Sequence, residues 1–302
     1  MRSGINRRSF LKTTGVVGAG IGLAGLGSSP LLAAALAEGA PNAEKLGWHL
    51  GCQTWTFREV SLFEAIDKTA SLGLGYIETG AGMKCLSKEQ PNVKFNEDSP
   101  ANIRTAVQKK LADTGLKLKS YGVTMLSNDV GQCRKMFDFA KSMGIETIVS
   151  EPTEDAFDTI EKLCDEYQIN VAIHDHPKPS HYWNPDTVLK VCKGRSKRIG
   201  SCADTGHWLR SGLNPIECLK KLEGRIINFH FKDLNRAGGD ARDVPWGTGV
   251  SDVKGMLAEV KRQGLKAVFL IEYEYLSENL LPEVAQCVKC FDKVAAELLA
   301  QG

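Results

Sequence analysis

The chain has 302 residues, of which 42% are hydrophobic and 25% are charged, and its formal net charge is +2. That length suits one large domain with a full hydrophobic core. The lack of a basic block argues against a nucleic-acid partner, and nine scattered cysteines do not have the spacing of a disulfide framework.

The first 37 residues predict an export signal. The stretch "NRRSFLK" (6–12) contains two adjacent arginines, a Gly/Ala/Leu-rich run follows, and Ala35-Leu36-Ala37 fits a small-residue cleavage site. A basic start, an apolar middle and a small-residue end are typical of secretory signals, and the paired arginines resemble those of the twin-arginine pathway. An uncleaved membrane anchor is the alternative, although the glycine content is high for a spanning helix.

Cleavage after Ala37 would divide the chain into a signal peptide, residues 1–37, and a domain, residues 38–302. We expect that domain to be periplasmic, with no stable membrane insertion once the signal is removed. Gly20, Gly22 and Gly25 spell G-x-G-x-x-G, but this motif indicates dinucleotide binding only between a strand and a helix. Here it lies inside the export signal, so we give it no functional weight.

Eight apolar, β-rich segments alternate with helical patterns along the rest of the chain. The predicted strands are 49–55, 74–79, 116–122, 145–151, 169–175, 198–204, 226–232 and 267–273. Several intervening helices end on a glycine, such as Gly115 and Gly144, as is common where a helix gives way to a strand. Eight such units favour an α/β fold made of a single (β/α)₈ TIM barrel, with a doubly wound sheet as the alternative.

Residues suited to binding a metal stand at the carboxyl ends of four predicted strands. Glu151 ends strand 4, Asp204 ends strand 6, His230 lies near the end of strand 7, and Glu272 lies on strand 8. In a barrel these positions converge on the face where active sites form. Three carboxylates and one imidazole predict one divalent ion, Mn²⁺ first, with Mg²⁺, Co²⁺ or Zn²⁺ as alternatives. Taken singly, each residue could instead be a solvated acid, a turn residue or a core histidine.

Further candidates follow other strands on the same predicted face. His176 lies after strand 5, and His207 stands three residues beyond Asp204. Trp55 and Trp246 follow strands 1 and 7. Aromatic rings around a polar mouth suit the apolar faces of sugars, and packing between loops and barrel is the alternative explanation.

These motifs resemble those of the xylose isomerase-like TIM-barrel superfamily, near its tagatose/psicose 3-epimerase and hydroxypyruvate isomerase branch. "DTGH" (204–207) is similar to the D-x-x-H of that family, "HFKDLNR" (230–236) resembles its histidine motif, and "VPWGTGVSD" (244–252) resembles its V-P-x-G-x-G loop. The resemblance implies that the metal ligands are Glu151, Asp204, His230 and Glu272. It also implies that His176, His207 and Arg236 contact the substrate.

The same resemblance implies isomerisation or epimerisation of a small sugar or keto-sugar. A proton beside a carbonyl would be removed through a metal-stabilised enediolate, with Glu151 and Glu272 as general base and acid. The family also suggests a homodimer or homotetramer. An exported relative could instead use these residues for β-elimination from a 3-keto-glycoside, as a lyase.

Two more distant alternatives are an endonuclease IV-like phosphodiesterase and a non-catalytic sugar-binding barrel. The phosphodiesterase needs further ligands on strands 2 and 3, and "KSYGVTM" at the end of strand 3 offers none. A sugar-binding barrel has no need of a complete set of metal ligands.

Overall fold

The computed structural model describes residues 39–301, and its eight parallel strands close into a barrel in chain order. The strands are β1 His49–Gln53, β2 Tyr76–Thr79, β3 Lys117–Thr124, β4 Thr147–Ser150, β5 Asn170–His174, β6 Ile199–Asp204, β7 Ile226–Phe231 and β8 Val268–Ile271. β8 pairs in parallel with β1, which closes the sheet. The predicted (β/α)₈ barrel is confirmed, and each predicted strand agrees with the observed one to within two residues at either end. The predicted signal peptide and its cleavage site lie outside the described residues.

Within residues 39–301, ten α-helices surround this barrel. They are α1 Pro41–Lys45, α2 Leu62–Ser71, α3 Ala101–Thr114, α4 Val130–Met143, α5 Phe157–Tyr167, α6 Pro185–Cys192, α7 Thr205–Arg210, α8 Pro215–Lys221, α9 Val253–Arg262 and α10 Leu280–Leu299. α2 begins with a capping box, in which Ser61 and Glu64 exchange hydrogen bonds between side chain and backbone. α3 and α4 end at Gly115 and Gly144, whose φ angles of 73° and 71° favour glycine.

The main hydrophobic core lies between the barrel and its helices. Phe229 of β7 stacks on Phe269 of β8 with 4.4 Å between ring centroids, and Phe291 of α10 lies 5.0 Å from Phe269. Successive side chains of a strand point to opposite faces of the sheet. Because Phe229 faces the helices, its neighbours Asn228 and His230 face the barrel interior.

The strand and helix patterns did not predict α7, which belongs to the site. It starts directly after β6, and the Oδ1 atom of Asp204 accepts a hydrogen bond from the backbone N–H of His207 at 2.8 Å. An aspartate at this position stabilises the first turn of a helix. Asp204 therefore caps α7 with one oxygen, while its other oxygen faces the barrel mouth.

Long connections follow the carboxyl ends of β2, β5 and β7, spanning residues 80–100, 175–184 and 232–252. In the last one, Asp233 accepts backbone hydrogen bonds from Gly247, Gly249 and Ser251 at 2.8–3.0 Å. These bonds hold the "VPWGTGVSD" stretch against the end of β7. The three connections surround the mouth of the barrel, where the candidate site lies.

Candidate metal centre

Strand alternation turns the candidate side chains into the barrel mouth. Ala172 of β5 and Cys202 of β6 belong to a small buried cluster that is separate from the main core. His174 and Asp204 stand two residues further along the same strands, so they have the same inward orientation. The last inward position of each strand thus reaches the carboxyl end of the barrel.

Four of these side chains form one compact group, which we call the β5–β8 cluster. Each offers one ligand atom, and the four atoms lie within 4.8 Å of one another; the residues are His174, Asp204, His230 and Glu272. His174 Nε2 is 3.5 Å from Asp204 Oδ2, and His230 Nδ1 is 3.1 Å from Glu272 Oε2. All four residues are buried. The structure thus brings together three of the four predicted ligands and adds His174.

Glu151, the fourth predicted ligand, lies beside the cluster in a group with His174 and His176. Its carboxylate is hydrogen-bonded to the His176 ring and accepts a 3.1 Å bond from the Ser180 hydroxyl. His174 Nδ1 lies 3.6 Å away. Burial acts to raise the pKa of Glu151, but the two histidines hold it well below its usual value. Glu151 is therefore ionised and close to the cluster, with His174 between them.

Glu78 of β2 is a buried acid that the sequence reasoning missed. Its Oε1 atom lies 2.8 Å from His230 Nε2, and its Oε2 atom accepts a hydrogen bond from the Ser120 hydroxyl. The Glu78 contact orients the imidazole so that Nδ1 points to the cluster. A metal-binding histidine commonly donates its other ring N–H to a carboxylate in this way. The signal available in the sequence was strand alternation in "YIET" of β2. Because Ile77 packs in the core outside the barrel, its neighbour Glu78 faces the interior.

Lys232 is the second unpredicted member of the site. It follows β7 with the same inward parity as His230, and its ammonium contacts both Asp204 Oδ2 and Glu272 Oε2. For both carboxyls burial acts to raise the pKa, whereas Lys232 and a neighbouring histidine hold it well below its usual value. A buried ammonium thus offsets part of the negative charge of the cluster.

The donor chemistry of the β5–β8 cluster fits a divalent cation. Within residues 39–301, both ring nitrogens of His174 and Nδ1 of His230 are buried without a hydrogen-bond partner. Buried polar atoms are normally satisfied, so the unpaired His174 Nε2 and His230 Nδ1, which both belong to the cluster side, indicate a missing partner. Two imidazoles and two carboxylates also match the ligands of Zn²⁺ or Mn²⁺.

His207 completes the mouth on the side of α7. Its Nε2 atom lies 3.6 Å from both Asp204 Oδ2 and Glu274 Oε1. Burial lowers the pKa of His207 well below its ordinary value, and although Asp204 acts to raise it, nearby Lys232 lowers it further. The ring is therefore neutral and lies beside the cluster.

A cavity of about 410 Å³ opens next to this group and is large enough for a small organic molecule. Glu272, Glu274 and His176 line its inner side. The rest of its wall comes from the carboxyl ends of β1 and β3 and from the segments after β1 and β2; these residues are Gln53, Thr54, Trp55, Gly80, Ala81, Gly82, Met83, Gly122 and Val123. The cavity gives a ligand direct access to one carboxylate of the cluster.

Of the remaining predicted substrate contacts, one lines the cavity and two do not. Trp55 lines the cavity and is 38% exposed. Trp246 is buried and packs on Phe231, with 4.8 Å between ring centroids. Arg236 lies exposed and pairs with Asp240, away from the cluster. Among the five, the structure therefore brings His176, His207 and Trp55 to the site.

Solved structures confirm the fold. An uncharacterised protein from Parabacteroides distasonis is 34% identical, with a TM-score of 0.66 over 82% of this chain and 99% of that chain. A D-tagatose 3-epimerase-like protein is 16% identical, with a TM-score of 0.64 over 82% and 98%. A xylose isomerase-like protein from Mycobacterium smegmatis, solved with magnesium, is 14% identical, with a TM-score of 0.64 over 83% and 98%.

No curated protein sequence matches the chain. Residues 4–24 match the signal sequence of the twin-arginine translocation pathway, which supports export by that route. Within residues 39–301, no helix combines the length and apolar character needed to cross a membrane. Residues 66–291 match the model of the xylose isomerase-like TIM barrel. With three quarters of its length matched and the strand ends arranged as described, the chain belongs to the xylose isomerase-like TIM barrel family.

Proposed function

We propose that this protein is an exported, divalent-metal-dependent sugar isomerase or epimerase. The observation that carries the proposal is the β5–β8 cluster, whose unpaired, buried imidazole nitrogens lie beside ionised carboxylates. The adjoining cavity of about 410 Å³ supplies room for a small sugar or keto-sugar.

Asp204, His230 and Glu272 would hold the ion, with the fourth position filled by His174 or by Glu151. Mn²⁺ is our first choice because carboxylates and imidazoles both bind it, and Mg²⁺, Co²⁺ and Zn²⁺ suit the same donors. When bound, such an ion polarises a substrate carbonyl and so acidifies the neighbouring C–H. Asp204 and Glu272 keep Lys232 within contact distance, so the site also retains a fixed positive charge.

Two carboxylates are available to move the proton. Glu272 lines the cavity, and Glu151 contacts His176, which lines it as well. Both have a lowered pKa and are therefore ionised, which makes them acceptors for a proton taken from carbon. One would remove the proton and the other, once protonated, would return it. Neutral His207, at the same mouth, can donate a hydrogen bond to a substrate oxygen.

A lyase that eliminates a group from a 3-keto-glycoside is the second candidate. It is favoured by the extension of the cavity from Glu272 outward to Trp55, which offers a second ring an aromatic contact. The export signal supports this candidate too, since glycosides and free sugars are found outside the cytoplasm. Loss of the proton on C2, beside the C3 keto group, would then expel the substituent on C1.

Proton NMR in D₂O separates these candidates. The protein is incubated with Mn²⁺ and either a ketohexose or a 3-keto-glucoside, and protein and metal are removed before the spectrum is recorded. Deuterium beside the ketose carbonyl, together with a new epimer or aldose, supports the isomerase. Release of the aglycone from the keto-glucoside supports the lyase, and exchange with neither substrate contradicts both.

A pair of variants assigns the chemistry to the site. Glu272→Gln should lower the rate of exchange or release by about 100-fold or more, as expected for loss of a general base. The matched control is Glu166→Gln, which removes an exposed carboxylate that pairs with Arg134 on the surface. Equal rates in both variants would show that Glu272 takes no part in the reaction.

We further propose that the protein works in the periplasm as a homodimer or homotetramer. The match to a twin-arginine signal supports export, and the periplasm is the usual destination of that pathway. The pathway exports proteins that are already folded. Seven of the nine free cysteines are buried, and folding first would bury them before they meet an oxidising compartment. Cell fractionation and sedimentation of the purified protein would test the two statements separately.

A further inference from the structure

Arg210, at the end of α7, is a buried arginine that contacts the site through His207. Its Nη1 atom lies 3.0 Å from His207 Nδ1, and the two residues share one face of the helix because they are three positions apart. Only 8% of the Arg210 side chain is exposed. Sequence reasoning missed it, since Arg236 in the neighbouring motif seemed the natural substrate contact.

The hydrogen-bonding capacity of the two groups fixes the direction of this contact. A guanidinium carries only donors, so the nitrogen that it meets must accept. A neutral imidazole that accepts at Nδ1 carries its proton on Nε2. We infer that Arg210 locks His207 in the Nε2–H tautomer, so that His207 presents a hydrogen-bond donor to an oxygen of the substrate. This inference rests on the proposed function only for the identity of that oxygen.

Arg210 is held in place from three further directions. Its Nη2 atom donates to Asp243 Oδ2 at 3.1 Å, its Nε atom donates to the Ala241 carbonyl at 3.2 Å, and Nη1 also contacts Glu274. Together these contacts use all three nitrogens of the planar guanidinium, a fork that lysine does not possess. The contact with His207 is therefore set by a rigid frame and does not depend on a mobile surface arginine.

The Nε2 atom of His207 lies beside Glu274, which lines the cavity. In the described part of the chain this atom is buried and has no hydrogen-bond partner. Its nearest acceptors, Asp204 Oδ2 and Glu274 Oε1, lie 3.6 Å away, beyond hydrogen-bonding distance. An N–H held there can bond a carbonyl or hydroxyl oxygen that gains negative charge as the neighbouring carbon loses its proton. The other tautomer would present a lone pair to that oxygen and repel it.

The tautomer can be read directly by ¹⁵N NMR of the full-length protein labelled at histidine, with the His207 signals assigned by comparison with His207→Gln. Protonated and bare ring nitrogens have separate ¹⁵N shifts, so the spectrum reports which nitrogen of His207 carries the proton. We expect Nε2–H in the wild type, with chelator or with Mg²⁺. A proton on Nδ1 would overturn the inference, and this result needs no turnover.

Variants then connect the tautomer to catalysis. Arg210→Met should convert the His207 signals to a mixture of tautomers and lower kcat on the order of 100-fold, with a much smaller change in KM. Arg134→Met, on the exposed face of α4, is the matched control and should alter neither. Unchanged His207 shifts in folded Arg210→Met would overturn the inference. If the shifts change but no sugar reacts with any form, the proposed function fails and the tautomer assignment stands.

Discussion

Replacing Lys232 by methionine tests whether the cluster depends on its buried ammonium. The substitution keeps most of the aliphatic stem and removes the ammonium that contacts both Asp204 and Glu272. Breaking a buried ion pair by removing one partner costs about 3–5 kcal/mol, because the other charge is left uncompensated. With a urea m-value of about 3 kcal/mol/M, the unfolding midpoint should fall by at least about 1 M.

A divalent ion should reverse much of this loss. An ion that binds only the folded state at 100 times its Kd adds about 2.7 kcal/mol to the free energy of unfolding. The ion binds more tightly where no ammonium repels it, so Mn²⁺ should stabilise Lys232→Met more than it stabilises the wild type. The assay is urea unfolding followed by tryptophan fluorescence, in EDTA and in excess Mn²⁺.

Lys254→Met is the matched control, since Lys254 forms an exposed pair with Glu297 and such pairs contribute about 1 kcal/mol or less. If Lys232→Met unfolds at the wild-type midpoint in EDTA, the ammonium does not offset the charge of the carboxylates. If Mn²⁺ stabilises the wild type more than the variant, Lys232 supports the ion and our reasoning about repulsion is refuted.

Three further substitutions test the surroundings of the cluster. Glu78→Gln should weaken metal binding about 10–100-fold in titration calorimetry, because the carboxylate that orients His230 is lost, and an unchanged Kd would contradict that role. Gly206→Ala would place its Cβ atom 2.7 Å from the stem of Lys232, so we expect a urea midpoint clearly below that of the wild type; equal midpoints would mean that the stem moves freely. Burial raises the pKa of Asp243 to about 7, so its protonated form favours folding and that contribution disappears as the pH rises through 7. The free energy of unfolding of the wild type should therefore fall between pH 5 and 8, relative to that of Asp243→Asn. A constant difference between the two proteins would contradict the raised pKa.

The barrel could be predicted because its signal is repeated eight times. Each apolar strand and each glycine-ended helix supplies the same evidence, so an error in one unit does not change the fold. The convergence of Asp204, His230 and Glu272 follows from that regularity, since strand ends of a parallel barrel share one face.

The rest of the site depends on packing that no local pattern records. Glu78 and Lys232 are charged residues beside apolar strands, where a solvent-exposed position is the usual expectation. Their burial was indicated only by strand alternation. Glu78 stands next to Ile77, which faces the helices, and Lys232 stands two residues after His230, which faces the barrel interior. Arg210 lies on a short helix that begins because Asp204 caps it, and its contacts with Asp243 and Glu274 join segments more than 30 residues apart.

The cavity wall and the β5–β8 cluster come from different parts of the barrel. Apart from His176, Glu272 and Glu274, the residues around the cavity lie at the carboxyl ends of β1 and β3 or follow β1 and β2, whereas the four residues of the cluster lie at the carboxyl ends of β5 to β8. Insertions or substitutions in the segment 80–100 can therefore change which molecule is admitted while the ion-binding groups keep their positions. In this barrel the ion-binding groups and the choice of bound molecule can therefore change independently.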